Sequence, residues 1–157
     1  MVDLTPNRGM TPIVTTIARW LRGIVFLFGI YIILFGHITP GGGFAGGVIL
    51  ALTYVLMTLC CGKETSLAKM PLHLAGELDS LGALMFLVIA WLGVWSVLGG
   101  GFFTNYIARY NTGLPYHLFS SGIIPLCNIA IAIKVAASLF LIFMLLVMTK
   151  VIHKPNE

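Results

Sequence analysis

Charge is what this sequence has least of, with five acidic and nine basic side chains in 157 residues. A soluble domain carries about a quarter charged residues, whereas this chain has 9%. The shortage excludes an ordinary soluble domain. The net charge of +4 is not gathered on a soluble face, so we expect no nucleic-acid partner. No hydrophilic stretch is long enough for a second domain, and residues 1–157 are expected to form a single membrane domain.

The sequence also lacks the patterns that mark catalysis and cofactor binding. Cys60, Cys61 and Cys127 have no Cys-x-x-Cys spacing and lie among apolar residues, so we interpret them as small buried hydrophobic side chains. There is no Ser-His-Asp set, haem attachment motif, zinc spacing, phosphate loop or dinucleotide fingerprint. We therefore expect no catalytic residue, no cofactor and no metal site, and we interpret the chain as a non-enzyme.

Apolar residues, in contrast, make up 59% of the chain and gather into four long runs. Each run is long enough to cross roughly 30 Å of hydrocarbon as a helix. The sequence therefore predicts an all-α integral membrane protein with a Gly/Pro-rich turn between its first two transmembrane helices. The four spans are predicted over residues 16–35, 43–61, 81–98 and 123–147.

Single residues mark the expected ends of these helices. Pro12 is typical of a first helical turn, and Gly62 is typical of a left-handed C-terminal cap for the second span. Asp79 or Ser80 is predicted to cap the third span. Because carboxylates in a first turn favour the positive end of a helix, we interpret Glu77 and Asp79 mainly as capping residues. The alternative is that they collect cations at the mouth of a pathway.

The basic residues are distributed unevenly between the two sides of the four-span arrangement. By the positive-inside rule this asymmetry predicts a multi-pass protein of the cytoplasmic membrane with both termini in the cytoplasm. One side of the membrane has only Arg109. The other side has Arg8, Arg19, Arg22, Lys63, Lys69, Lys150 and Lys154.

A run of glycines with one proline, residues 36–47, separates the first two spans. Irregular backbone at membrane depth is tolerated only where protein or a water-lined cavity satisfies its polar groups. Small residues four positions apart let another helix approach closely, so we interpret the run as a docking surface rather than an ion passage. The turn and packing residues are Thr39, Pro40, Gly41, Gly42, Gly43, Gly46 and Gly47.

Lys134 is a charged residue inside the fourth apolar run, about 16 Å from the start of that run if it is helical. Placing a lysine at this depth costs at least about 2.5–3.5 kcal/mol. The predicted spans put no carboxylate at mid-membrane, and Glu77 and Asp79 are expected to be out of reach. An acidic partner is therefore expected from another polypeptide. Ser138, one turn along, is expected to hydrogen-bond the amine.

Two roles for Lys134 remain open, a place on an ion or proton pathway and a pairing that fixes subunit docking. His37 ends the first span, where an imidazole can exchange protons near neutral pH or bond the backbone of the glycine run. Asn128 is a second polar residue of the fourth span. The ion-path candidates are Lys134, His37, Asn128, Ser138, Glu77 and Asp79.

Two segments of the sequence resemble a known family. Residues 37–51 read HITPGGGFAGGVILA, and residues 119–128 read FSSGIIPLCN, followed by Lys134 and Val135. These segments resemble the signatures of the MnhB-like family, whose members are membrane subunits of Mrp-type multisubunit Na+/H+ antiporters. The resemblance covers the first, second and fourth spans. It implies that the glycines form the turn of that family and that Asn128 and Lys134 are its polar residues in the fourth span.

The resemblance implies an accessory subunit of a cation-translocating complex, with other membrane subunits, Na+ and/or H+ and the lipid bilayer as partners. The same subunit type occurs in the membrane arms of energy-converting hydrogenases and sulfur reductases, which resemble respiratory complex I. A stand-alone antiporter and such a redox-driven arm are both compatible with the sequence. The alternative function is a purely structural scaffold subunit that takes no part in the ion path.

Overall fold

The computed structural model describes residues 11–94, 101–105, 107 and 121–152. It contains the helices α1 (Pro12–Phe35), α2 (Gly42–Lys69), α3 (Leu72–Val94) and α4 (Ile124–Ile152). All four are long and apolar enough to cross a membrane, which confirms the predicted all-α fold with four spans. Parts of the sequence predictions lie outside the described residues, namely Arg8, Arg109, Lys154 and positions 95–98 of the third span.

The helices pack side by side in the order α1, α2, α4, α3. Helix α4 therefore lies between α2 and α3. On the α3 side, Ala75 packs with Phe140 and Met144 in one buried cluster, and Ile89 packs with Ala130 in another. This central position of α4 explains why its side chains meet residues from both neighbouring helices.

The connection between α1 and α2 is the predicted glycine-rich turn. The backbone N–H groups of Ile38 and Thr39 donate to the carbonyl oxygen of Phe35, and the Thr39 hydroxyl donates to the same oxygen at 2.9 Å. Gly42 begins α2 with a φ of +70°, in the left-handed region that favours glycine. The turn therefore closes through its own hydrogen bonds and reverses the chain within a few residues.

Gly62 interrupts α2 with φ +83° and ψ +164°, values that non-glycine residues rarely adopt. The left-handed cap predicted at Gly62 is wrong, because its ψ lies far from the left-handed helical region and helical residues resume after it and continue to Lys69. The hydroxyls of Thr58 and Ser66 are hydrogen-bonded at 2.9 Å, although eight residues of straight helix would separate them by about 12 Å. Residues 63–69, which we call the returning segment, therefore fold back beside the end of α2.

Helix α3 begins at Leu72, nine residues before the predicted start of the third span. It follows Pro71, whose carbonyl oxygen accepts the first helical hydrogen bond from Ala75 at 3.1 Å. The prediction that Asp79 or Ser80 caps this helix is wrong, and its first turn contains no acidic residue. Asp79 lies instead about 10 Å along the helix axis from Leu72.

Candidate functional site

Lys134 and Asp79 form an ion pair between α4 and α3. The Lys134 Nζ donates to Asp79 Oδ1 at 2.9 Å. The prediction that the acidic partner comes from another polypeptide is therefore wrong. The early start of α3 is the physical reason, because it carries Asp79 into the membrane-spanning length. Lys134 itself lies about 15 Å along α4 from Ile124, so the pair is deep within the bundle's span.

Ser138 also contacts this ion pair, and we call the three residues Lys134, Asp79 and Ser138 the charged cluster. Its hydroxyl donates to Asp79 Oδ1, the oxygen that also accepts from Lys134. Ser138 was expected to bond the amine, and it bonds the carboxylate instead. Among the described residues nothing hydrogen-bonds the second carboxylate oxygen, Oδ2. One oxygen of Asp79 thus holds the cluster together while the other can accept a further ligand.

The charged cluster is open on one side. The Lys134 side chain is 47% exposed and that of Asp79 is 29% exposed in the isolated chain. A charged group facing lipid is costly, and ionisable residues inside membranes almost always face other protein or a water-filled cavity. The open side of the cluster therefore requires protein or water over it.

Gly82 brings the two helices close enough for the ion pair. A Cβ atom placed on Gly82 would lie 2.8 Å from the backbone nitrogen of Lys134 and 2.9 Å from the carbonyl oxygen of Ala130. Real side chains do not approach backbone so closely, so only glycine permits this crossing of α3 and α4. Sequence analysis missed Gly82. The available signal was its position three residues after Asp79, which places both on one face of a helix.

The glycines of α2 face two helices of the same chain. Gly43 contacts the backbone of Asn128, and a Cβ on Gly47 would lie 2.8 Å from the carbonyl oxygen of Ala132, both on α4. Gly46 faces α1, where a Cβ would contact Ile33. The interpretation of these positions as a docking surface for a partner's helix is therefore wrong at these three glycines. Intrachain packing of α2 occupies them.

The remaining candidates lie apart from the charged cluster. Asn128 is 9% exposed, its Nδ2 has no hydrogen-bond partner among the described residues, and it lies about 9 Å along α4 from Lys134. His37 is partly buried in the turn between α1 and α2. Glu77 is exposed and pairs with His73 at 3.3 Å. Its predicted capping role is wrong because it lies beyond the first turn of α3.

The six sequence candidates therefore separate into three places. One is the charged cluster, and another is the glycine-turn end of the bundle with Asn128 and His37. The third is the exposed start of α3 with Glu77. Only the cluster joins opposite charges within the membrane-spanning length, which makes it the strongest candidate site among the described residues.

Comparison with known proteins gives a family match over nearly the whole chain. A family model described as "Domain related to MnhB subunit of Na+/H+ antiporter" matches residues 13–152. "Uncharacterized protein MJ1307" of Methanocaldococcus jannaschii is 34% identical over 145 residues, covering 90% of this chain and 54% of the relative. "Putative antiporter subunit mnhB2" of Staphylococcus aureus strain MRSA252 is 29% identical over 102 residues, covering 65% of this chain and 67% of the relative.

A solved structure is similar as well. It belongs to the membrane-bound sulfane sulfur reductase, an archaeal respiratory membrane complex. One chain of it matches with a TM-score of 0.68 and 31% identity, covering 88% of this chain and 59% of that chain. This chain thus spans only a little over half the length of the archaeal proteins it matches.

Proposed function

The chain belongs to the family of domains related to the MnhB subunit of Na+/H+ antiporters, and from this membership we propose a non-catalytic subunit of a multisubunit cation-translocating complex. Its partners are other membrane subunits, and its parent complex moves Na+, H+ or both. Two similarities support this setting, one to an antiporter subunit and one to a chain of a respiratory membrane complex. The parent is either an antiporter or the membrane arm of a redox-driven pump.

We place the chain in the cytoplasmic membrane with both termini in the cytoplasm. Arg19, Arg22 and Lys69 line one small cavity at the Gly62 end of the bundle, so these three basic residues lie at the same end. Basic residues concentrate on the cytoplasmic side of membrane proteins. The glycine-turn end then faces outward.

The charged cluster carries the functional proposal, because it is an ion pair within the membrane-spanning length with one open side. A cation that arrives at Asp79 Oδ2 competes with Lys134 for the carboxylate, since both are attracted to the same negative charge. Binding of Na+ or a proton at Asp79 weakens the hold on Lys134, and departure of that cation restores the pair. The cluster thereby couples the position of a lysine to the occupancy of a cation site.

Transport by the assembled complex tests this role. Lys134→Ala removes the competing charge, so Na+- or pH-driven exchange in membrane vesicles is expected to fall to the level of vesicles without the complex. The complex is expected to assemble, as followed on a native gel. Glu77→Gln is the matched control, because Glu77 also lies on α3 but outside the cluster. Unaltered transport in an assembled Lys134→Ala complex would refute the proposal.

A structural scaffold is the second candidate function. The observation in its favour is that the Lys134–Asp79 pair also fastens α3 to α4 within the chain. A scaffold role predicts that Lys134→Ala dissociates the complex on a native gel. Gly46→Leu is a poor test of docking, because Gly46 packs against α1 and the substitution disturbs the fold of the chain itself.

A further inference from the structure

A cationic cavity lies between α1 and α2, away from the charged cluster. It has a volume of about 500 Å³, and Arg22 and Lys69 are its charged lining residues. A smaller cavity of about 30 Å³ beside it shares both residues and adds Arg19. The reversal at Gly62 is what brings Lys69 back beside α1. Three positive charges therefore line these two neighbouring cavities, which we together call the basic pocket.

No carboxylate neutralises the basic pocket among the described residues. The ion pairs of the described part of the chain join other groups, and neither arginine nor Lys69 takes part in one. Arg22 donates to the sulfur of Met57 at 3.0 Å, and a thioether is a weak acceptor. Like charges that line one pocket repel each other, and the repulsion grows as water is excluded. An anion between them removes this repulsion.

The position of the pocket identifies the kind of anion. Arg22 lies about 9 Å along α1 from residue 16, where the predicted first span begins, so it is near the membrane surface, and Phe26 and Tyr54 supply apolar walls. Trp20, two residues before Arg22, is 75% exposed, as expected of a ring at the membrane interface. An arginine at this depth extends its guanidinium toward the headgroup region. The occupant must therefore combine a negative group with apolar chains.

We propose that the basic pocket binds the phosphate of an anionic phospholipid, held by Arg22 and Lys69 with Arg19 at its edge. The acyl chains of the lipid lie against Phe26, which lines the larger cavity and is 39% exposed on that side of α1. Basic pockets between membrane helices on the cytoplasmic side are suited to such headgroups. The lipid neutralises the pocket and fastens the returning segment to α1.

Native mass spectrometry tests this site. The complex in mild detergent is first exposed to equimolar phosphatidylglycerol and phosphatidylcholine, and the lipid that stays bound is then identified by its mass. The wild-type complex is expected to retain phosphatidylglycerol. Each cation near an anionic lipid contributes about fivefold in affinity, so Arg22→Gln with Lys69→Gln is expected to weaken retention about 25-fold. Lys63→Gln is the matched control, because Lys63 belongs to the returning segment but lines neither cavity. A second double variant, Arg22→Lys with Lys69→Arg, keeps both positive charges and is expected to retain phosphatidylglycerol as the wild-type complex does.

Three results would overturn the proposal. The first is equal retention of phosphatidylglycerol by the wild-type complex and the double Gln variant. The second is a thermal stabilisation by inorganic phosphate that matches the one by phosphatidylglycerol, since this identifies a free-anion site. The third is carbodiimide cross-linking of Lys69 to a carboxylate of a neighbouring subunit, which places protein in the pocket.

Discussion

The close approach of α3 to α4 at Gly82 leads to a prediction about two glycines of one helix. Gly82→Ala and Gly76→Ala both place a methyl group on α3. At Gly76 no atom lies within 4 Å of the new Cβ, whereas at Gly82 the new Cβ meets Lys134 and Ala130 at 2.8–2.9 Å. The two variants make the same chemical change and differ only in what the methyl group contacts.

The free energy of unfolding is expected to be lower for Gly82→Ala than for Gly76→Ala. Replacing glycine by alanine inside a helix gains about 1 kcal/mol, and Gly76→Ala should show that gain. Overpacking costs about 1–3 kcal/mol, and backbone atoms of α4 cannot rotate away as a side chain can. Gly82→Ala should therefore be about 1–3 kcal/mol less stable than Gly76→Ala. It should also weaken the Lys134–Asp79 pair, because α4 must shift.

Reversible unfolding of the purified chain in mixed detergent and dodecyl sulfate provides the assay, with helix content followed by circular dichroism. The two variants are compared at the same protein concentration and detergent ratio. Equal stability of Gly82→Ala and Gly76→Ala, or a higher stability of Gly82→Ala, would refute the close crossing of the two helices.

Three further substitutions test other parts of the fold in the same unfolding assay. Gly62→Ala forces a side chain into a glycine-only backbone conformation and is expected to cost about 1–3 kcal/mol; an unchanged stability would argue against the reversal. Thr58→Val removes the hydrogen bond to the buried Ser66 and is expected to cost about 1–3 kcal/mol, and a stabilised variant would contradict this contact. Asn105→Ala removes the acceptor for the N–H of Ile123 at 3.1 Å and the donor to the carbonyl oxygen of Ser121 at 3.1 Å, and it is expected to cost about 0.5–2 kcal/mol. Asn105→Asp keeps the acceptor but loses the donor, so it should recover only part of this loss, and an Asn105→Ala variant as stable as the wild type would argue against both contacts.

The helices of this chain could be predicted from sequence because their apolar runs are long and uniform. The run before Phe35 and the one after Ile124 contain few polar residues, so length alone identifies them. The start of α3 could not be placed in this way. His73, Glu77 and Asp79 lower the hydropathy of residues 72–80, and a hydropathy argument assigns such residues to a loop. These residues are compatible with the helix because Asp79 pairs with Lys134 of α4, and Glu77 lies exposed beside His73.

The candidate site could be predicted only in part for a related reason. Lys134 and Ser138 were singled out together, because four residues place them on one face of a helix. Their joint partner, Asp79, could not be predicted, because its position beside them depends on how far α3 is shifted along α4. That shift is set by the packing at Gly82 and by the residue at which α3 begins. Pro71 is the local signal for that start, because proline is tolerated in a first turn. Which helices the glycines of α2 contact likewise depends on the order in which the helices pack, and the sequence does not give that order.

The proposal that the Lys134–Asp79 pair serves transport, and not only packing, is tested most directly by removing both charges at once. Removing one partner of a buried pair costs about 3–5 kcal/mol, whereas replacing both by apolar residues is often neutral or stabilising. Since Lys134 is half exposed, the cost of a single loss should lie below that range. The complex with Lys134→Met and Asp79→Leu is therefore expected to assemble.

The deciding measurement is Na+/H+ exchange by membrane vesicles containing this double variant, with assembly checked on a native gel. The account predicts an assembled complex whose exchange falls to the level of vesicles without it. An assembled complex that exchanges ions at the wild-type rate would contradict the account, because the pair would then serve only to hold α3 against α4.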